Sequence, residues 1–121
     1  MSESISFIVY VTDAPASARF YGDLLEKEPS FVTPGYISFD LGPGADLALW
    51  SGQLDGQDPA VSRTGEVCVC LPGGPEEIDR RYATWTAKGV RVVSEPRDAV
   101  FGRTFVVADP DGNLIRVAPV D

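Results

Sequence analysis

Arg116 stands in the middle of the apolar run NLIRVA, in a chain that has no histidine. A half-buried guanidinium needs a partner, because an unpaired buried charge is costly. One partner is Glu66, which opens the run EVCVCL. Another is a ligand carboxylate or phenolate met by the planar fork, or an aromatic ring stacked on it. Trp50 offers the face of an indole to a flat polycycle, or else ordinary packing. Tyr10 can wall the same space, with Ser38 and Cys68 as its small polar members. Phe31 and Tyr36 flank Pro34-Gly35, and Phe101 precedes Gly102. These three form a rim or close the ends of strands. Arg103, next to Gly102, stands at the mouth or is a solvated charge.

These residue types exclude much chemistry. Without histidine there is no Ser-His-Asp or Cys-His set. Glu66 can act as a general base if burial raises its pKa, but Arg116 nearby opposes that shift. Gly42, Gly44, Gly73 and Gly74 fit no phosphate loop. Cys68 and Cys70 are two apart on one strand, which is neither a CxxC pair nor a disulfide framework. Two small buried thiols in a reducing cytoplasm are expected there. No metal ligand set and no cofactor motif is found.

The chain has 121 residues and a net charge of −8, with a pI near 4.4. That length predicts a single domain able to bury a core without disulfides or metals. The acidity disfavours nucleic acid and anionic lipid as partners. It leaves room for a locally basic pocket. No apolar run approaches a membrane span. The start, MSESISFIVYV, lacks a basic segment and leads into a strand, so no signal peptide is expected.

The elements that must hold these residues come in two similar sets. ISFIVYV (5–11) reads as a strand, and Asp13 caps a helix with Pro15 in its first turn. The helix runs to about Lys27, with Phe20, Leu24 and Leu25 on its apolar face and Ala16 or Ser17 behind them, and Pro29 stops it. Strands follow at 31–33, 36–41 and 46–51. Residues 52–64 lack periodicity and read as the connection. The second set has a strand at 66–71 and a helix opened by Gly74-Pro75. Ile78, Tyr82 and Trp85 face the core of that helix, and Gly89 ends it. Strands follow at 90–96, 101–108 and 113–118. The modules therefore span about 4–51 and 65–121. GPGADLALW (42–50) lies over PDGNLIRVA (110–118), with Gly44 on Gly112 and Leu47 on Ile115.

Strand alternation sorts the side chains into two faces. Phe7, Val9, Val11, Ile37, Phe39, Leu41, Leu47, Leu49, Val67, Val69, Leu71, Phe105, Val107, Ile115 and Val117 make an apolar face for the helices. The opposite face is small and mixed, punctuated by Tyr10, Trp50, Glu66 and Arg116. Such a face suits a ligand cavity, a partly solvated sheet, or a dimer interface.

The paired strand-helix-three-strand modules, the helix segment SARFYGDLL and the terminal FGRTFVVADPDGNLIRV resemble the vicinal oxygen chelate superfamily. That is the glyoxalase, bleomycin-resistance and extradiol-dioxygenase group, and the resemblance covers nearly the whole chain. EPSFVTPGYISF, ALWSG and VFGRTFVVADPDGNLIRVAPVD look most like its drug-binding, phenazine-type resistance branch. The resemblance implies an α+β fold of two βαβββ modules, each a curved half-barrel sheet with its helix outside. It also implies a homodimer with sites at the subunit interface, sometimes with exchanged modules. The superfamily's metal ligands map to Ser6, Ala48, Glu66 and Arg116. Three ligands are lost there and one is reversed in charge, so the implied bowl has no metal. The function expected is metal-free sequestration of a planar aromatic antibiotic of phenazine or bleomycin type. The alternative is a metal-independent isomerase or lyase using Glu66.

Overall fold

The computed structural model describes residues 4–52 and 66–120. The expected connection at 52–64 therefore lies almost wholly outside the described residues. The chain divides into two compact units, residues 1–62 and 63–121. Each is a helix laid on a four-stranded sheet.

The first unit runs β1 (Ile5–Tyr10), α1 (Ala14–Leu25), β2 (Phe31–Val32), β3 (Tyr36–Gly42) and β4 (Ala45–Trp50). Its sheet order is β1-β4-β3-β2. Only the β1–β4 pairing is parallel. A parallel neighbour demands a crossover, and α1 helps to supply it. Asp13 begins α1 as expected, its Oδ1 accepting the Ala16 N–H at 3.0 Å.

The second unit runs β5 (Glu66–Leu71), α2 (Pro75–Ala87), β6 (Arg91–Ala99), β7 (Gly102–Ala108) and β8 (Leu114–Pro119). Its order, β5-β8-β7-β6, repeats the first. The repeat holds at the level of single residues. Phe7 pairs with Leu47 and Val67 with Ile115; Phe39 pairs with Leu47 and Val107 with Ile115. The alignment of Leu47 with Ile115 read from the two hairpins is the structural one. Pro96 lies in β6, an edge strand with two register irregularities, where its missing N–H is tolerated.

The core of each unit lies between helix and sheet. Ile37, Phe39, Leu47 and Leu49 are buried in the first, Phe105, Val107, Ile115 and Val117 in the second. On α2, Ile78 and Trp85 are buried, and Tyr82 and Trp85 meet Phe105 edge-on at 5.2 and 5.7 Å between ring centroids. Two expectations need correction. The buried face of α1 is Ala14, Ser17, Ala18, Tyr21 and Leu24, while Phe20 and Leu25 lie at its margins. Small residues let the helix approach the sheet, and Tyr21 fills the depth that Phe20 was expected to fill. Phe7 and Leu41 are 54% and 42% exposed rather than covered. Phe7 lies on β1, an edge strand, whereas α1 packs over β3 and β4, and Leu41 falls at the register shift between Asp40 and Gly42 at the end of β3.

Candidate functional site

The site residues fall into two groups, one in each unit. In the first unit, Trp50 ends β4 between two tyrosines. It stands directly opposite Tyr10 on β1 and Tyr36 on β3. Opposed residues of neighbouring strands share a face, so the three rings form a row across the sheet. The Tyr10 and Trp50 centroids are 5.7 Å apart with a 41° tilt. Phe31 extends the row, meeting Tyr36 edge-on at 6.1 Å. Trp50, Tyr10 and Tyr36 are half-buried and Phe31 is exposed, so the row is an accessible apolar surface. Its floor is small: Ser38 pairs with Ala48, and both are buried. Gly52 touches the indole so closely that an added Cβ would fall on its Cε2, Nε1 and Cζ2 atoms. The backbone after β4 therefore helps to fix the ring.

In the second unit the centre is Arg116. Its Nε donates to Glu66 Oε2 at 2.6 Å, and its Nη1 donates to Thr104 Oγ1 at 3.0 Å. Thr104 in turn donates to the Val117 carbonyl at 2.7 Å. The Phe101 ring centroid lies 5.9 Å from the guanidinium carbon, within cation–π range. The side chains of Arg116 and Glu66 keep 22% and 34% of their exposure, so this is a held but accessible cation. The question of whether Arg116 pairs with Glu66 has its answer: it does, and the remaining guanidinium N–H groups have no other partner among the described residues.

Thr104 is a contributor not singled out by residue type or motif. A mid-strand hydroxyl beside an arginine was the available signal. Arg103 does not join the group. Its Nε bonds Asp79 of α2 at 2.7 Å and its Nη1 bonds Asp98 at 3.1 Å. These carboxylates raise its pKa by holding the charged form. Being adjacent to Thr104 on a strand, Arg103 must point to the helix side while Thr104 points toward Arg116.

The cysteines also differ from expectation. Cys68 and Cys70 are exposed rather than buried, on the edge strand β5, with sulfurs 3.9 Å apart. Partial desolvation, the Cys70 sulfur and the Glu66 carboxylate push the Cys68 thiol up to about 11, against a smaller opposite pull from Arg116. Cys68 lies directly opposite Arg116 in the β5–β8 pairing.

The positions to which the metal ligands mapped do not fit a divalent ion. At two of them a guanidinium is bonded to a carboxylate at 2.6 Å, so a positive charge stands where a cation would have to bind. Among the described residues no three His, Cys, Asp or Glu side chains converge to hold a metal. No described helix is long and apolar enough to cross a membrane.

Comparison with known proteins agrees with this architecture. Residues 5–117 match the Glyoxalase/Bleomycin resistance protein/Dioxygenase superfamily. The phenazine antibiotic resistance protein EhpR of Enterobacter agglomerans is 41% identical over 119 residues, covering 94% of this chain and 89% of its own. The solution structure of protein ATC0852 from Agrobacterium tumefaciens is similar with a TM-score of 0.83 and 32% identity, over 98% of both chains. A glyoxalase/bleomycin resistance protein/dioxygenase from Nocardioides is similar with a TM-score of 0.75 and 28% identity, over 100% of this chain and 85% of that one.

Proposed function

Because the chain belongs to the glyoxalase/bleomycin resistance/dioxygenase superfamily, we propose that it is a metal-free binding protein for a planar, anionic aromatic compound, which it sequesters as a phenazine-type resistance protein. The observation that carries this is the pair of recognition surfaces. One is the row Tyr10–Trp50–Tyr36 with Phe31 beside it. The other is a guanidinium held in place by Glu66 and Thr104 with further donors to offer. Each is a recognition element within its own unit: the first suits the face of a flat ring system, the second a carboxylate or phenolate. The resistance protein EhpR, at 41% identity, supports the choice of phenazines as the class to test.

The residues this reading assigns to ligand contact are Tyr10, Phe31, Tyr36, Ser38 and Trp50 in the first unit and Cys68, Phe101 and Arg116 in the second, with Glu66 holding Arg116 in place. A homodimer with the ligand at the subunit interface belongs to the same reading. The exposed Ile5, Phe7 and Ile8 of edge strand β1 support it. The isomerase or lyase alternative has no observation in its favour. The Glu66 carboxylate already accepts from a guanidinium through Oε2 at 2.6 Å, which leaves its other oxygen for a substrate proton.

The test is a fluorescence titration of the protein with a carboxylated phenazine. Trp85 is buried in the core, so saturable quenching should report Trp50. Trp50→Ala should abolish it, and Arg116→Met should weaken it at least tenfold. No saturable binding of carboxylated phenazines by the folded protein would refute the proposal.

A further inference from the structure

The proposed function uses Cys68 only as a single ligand contact and leaves Cys70 unused, yet the two exposed thiols form a pair of specific geometry. They alternate with Val67, Val69 and Leu71 on β5, so both sulfurs leave the same face of the strand. β5 is an edge strand, paired on one side only, with β8. Both residues are exposed and free, and their sulfurs stand 3.9 Å apart.

That separation discriminates between the two things a close dithiol does. A disulfide needs its sulfurs at about 2.05 Å and its Cβ atoms at about 3.8 Å. Alternate residues of an extended strand are separated by about 6.6 Å, near the upper limit for bridged Cα atoms, so oxidation would require β5 to pucker. A tetrahedral thiophilic ion needs no such movement. Two thiolates each about 2.3 Å from such an ion stand about 3.8 Å apart, which is the spacing observed. The strand that resists a disulfide already spans one edge of a coordination tetrahedron.

We propose that Cys68 and Cys70 form a bidentate site for a soft divalent cation of the zinc and cadmium class, open on two coordination positions. Both thiols give up a proton on binding, and the ion keeps its oxidation state. No third His, Cys, Asp or Glu converges on the pair among the described residues, so solvent completes the tetrahedron. Thiolates favour such ions over hard oxygen-seeking ones. The two sulfurs are not among the superfamily's metal-ligand positions, but they adjoin two of them, since Cys68 lies opposite Arg116 and two residues from Glu66 on one strand.

Cadmium alone, added to the reduced full-length protein, tests this through the ultraviolet charge-transfer absorption of the cadmium–thiolate bond. The expected result is one saturable cadmium per chain, with both thiols protected from a thiol-specific disulfide reagent. Cys68→Ser and Cys70→Ser should each lower the affinity by at least a hundredfold while circular dichroism stays unchanged. Calcium should not compete. The proposal is overturned if the wild type shows no saturable absorption while both thiols react freely. It is also overturned if either single variant binds as the wild type does, or if mild oxidation closes a Cys68–Cys70 disulfide quantitatively.

Discussion

Replacing Glu66 by Gln separates binding from catalysis by the sign of its effect. The carboxylate sits 2.6 Å from Arg116 Nε. A carboxamide can still accept that hydrogen bond through its oxygen, so the geometry survives and one negative charge is lost. An anionic ligand group on the free edge of the guanidinium would lie on the order of 6 Å from the Glu66 carboxylate, a repulsion of about 0.7 kcal/mol in water and about 2.8 kcal/mol at an effective dielectric of 20. The two side chains are 22% and 34% exposed, which places the value toward the lower end, about 1 kcal/mol. Glu66→Gln should therefore tighten binding of a carboxylated phenazine about fivefold. It should leave a neutral phenazine within twofold. The fold should lose about 0.5–1 kcal/mol, since the pair is partly solvated. Calorimetric titration with both ligands, paired with urea unfolding, reads all three quantities. Weaker binding of the anionic ligand in this variant would refute the role given to Arg116. Detectable conversion of ligand that Glu66→Gln removes would establish catalysis instead.

Other expectations follow from single contacts. Gly52→Ala should displace the Trp50 indole, because the new Cβ would fall on the ring; its emission should shift and phenazine quenching should fall, with unchanged urea stability counting against a fixed ring. Asp109→Ala removes the acceptor for the Asp111 and Asn113 backbone N–H groups and for Asn113 Nδ2, which should cost about 1–3 kcal/mol in urea unfolding. Cys68, pushed up to about 11, should alkylate about tenfold faster per pH unit up to pH 10, whereas an ordinary thiol levels off above about 9. The folded state favours its protonated form. That contribution is complete below the unfolded value of about 8.5 and is lost as pH rises through about 11. A reaction rate that levels off near pH 9 would contradict the environment described for Cys68.

The hairpin register was legible because two signals agree in it. Glycine turns at Gly44 and Gly112 fix where β4 and β8 begin, and period-two alternation then puts Leu47 and Ile115 on the core face. The face of α1 was less legible. Counting apolar bulk favours Phe20 and Leu25, but the sheet admits Ala14, Ser17 and Ala18 at close range and takes Tyr21 as the large side chain. Composition does not carry that depth. The Arg116–Glu66 pair followed from the need of a mid-strand cation for a partner. Arg103 shows the opposite case. Its place beside Gly102 left a mouth residue and a solvated charge both open, and the alternation that sets Thr104 beside Arg116 turns it toward Asp79 of α2. The exposure of Cys68 and Cys70 depends on β5 being an edge strand, which is a property of strand order and not of the run EVCVCL itself.

In the proposed function this chain holds an aromatic ligand and leaves it chemically intact. Native mass spectrometry of the protein with a carboxylated phenazine, followed by release and mass analysis of the ligand, tests it most directly. The expected result is a stoichiometric complex, no added metal in the complex mass, and a ligand recovered at its original mass after prolonged incubation. A ligand released with altered mass, or a complex that forms only with a bound divalent metal, would contradict it.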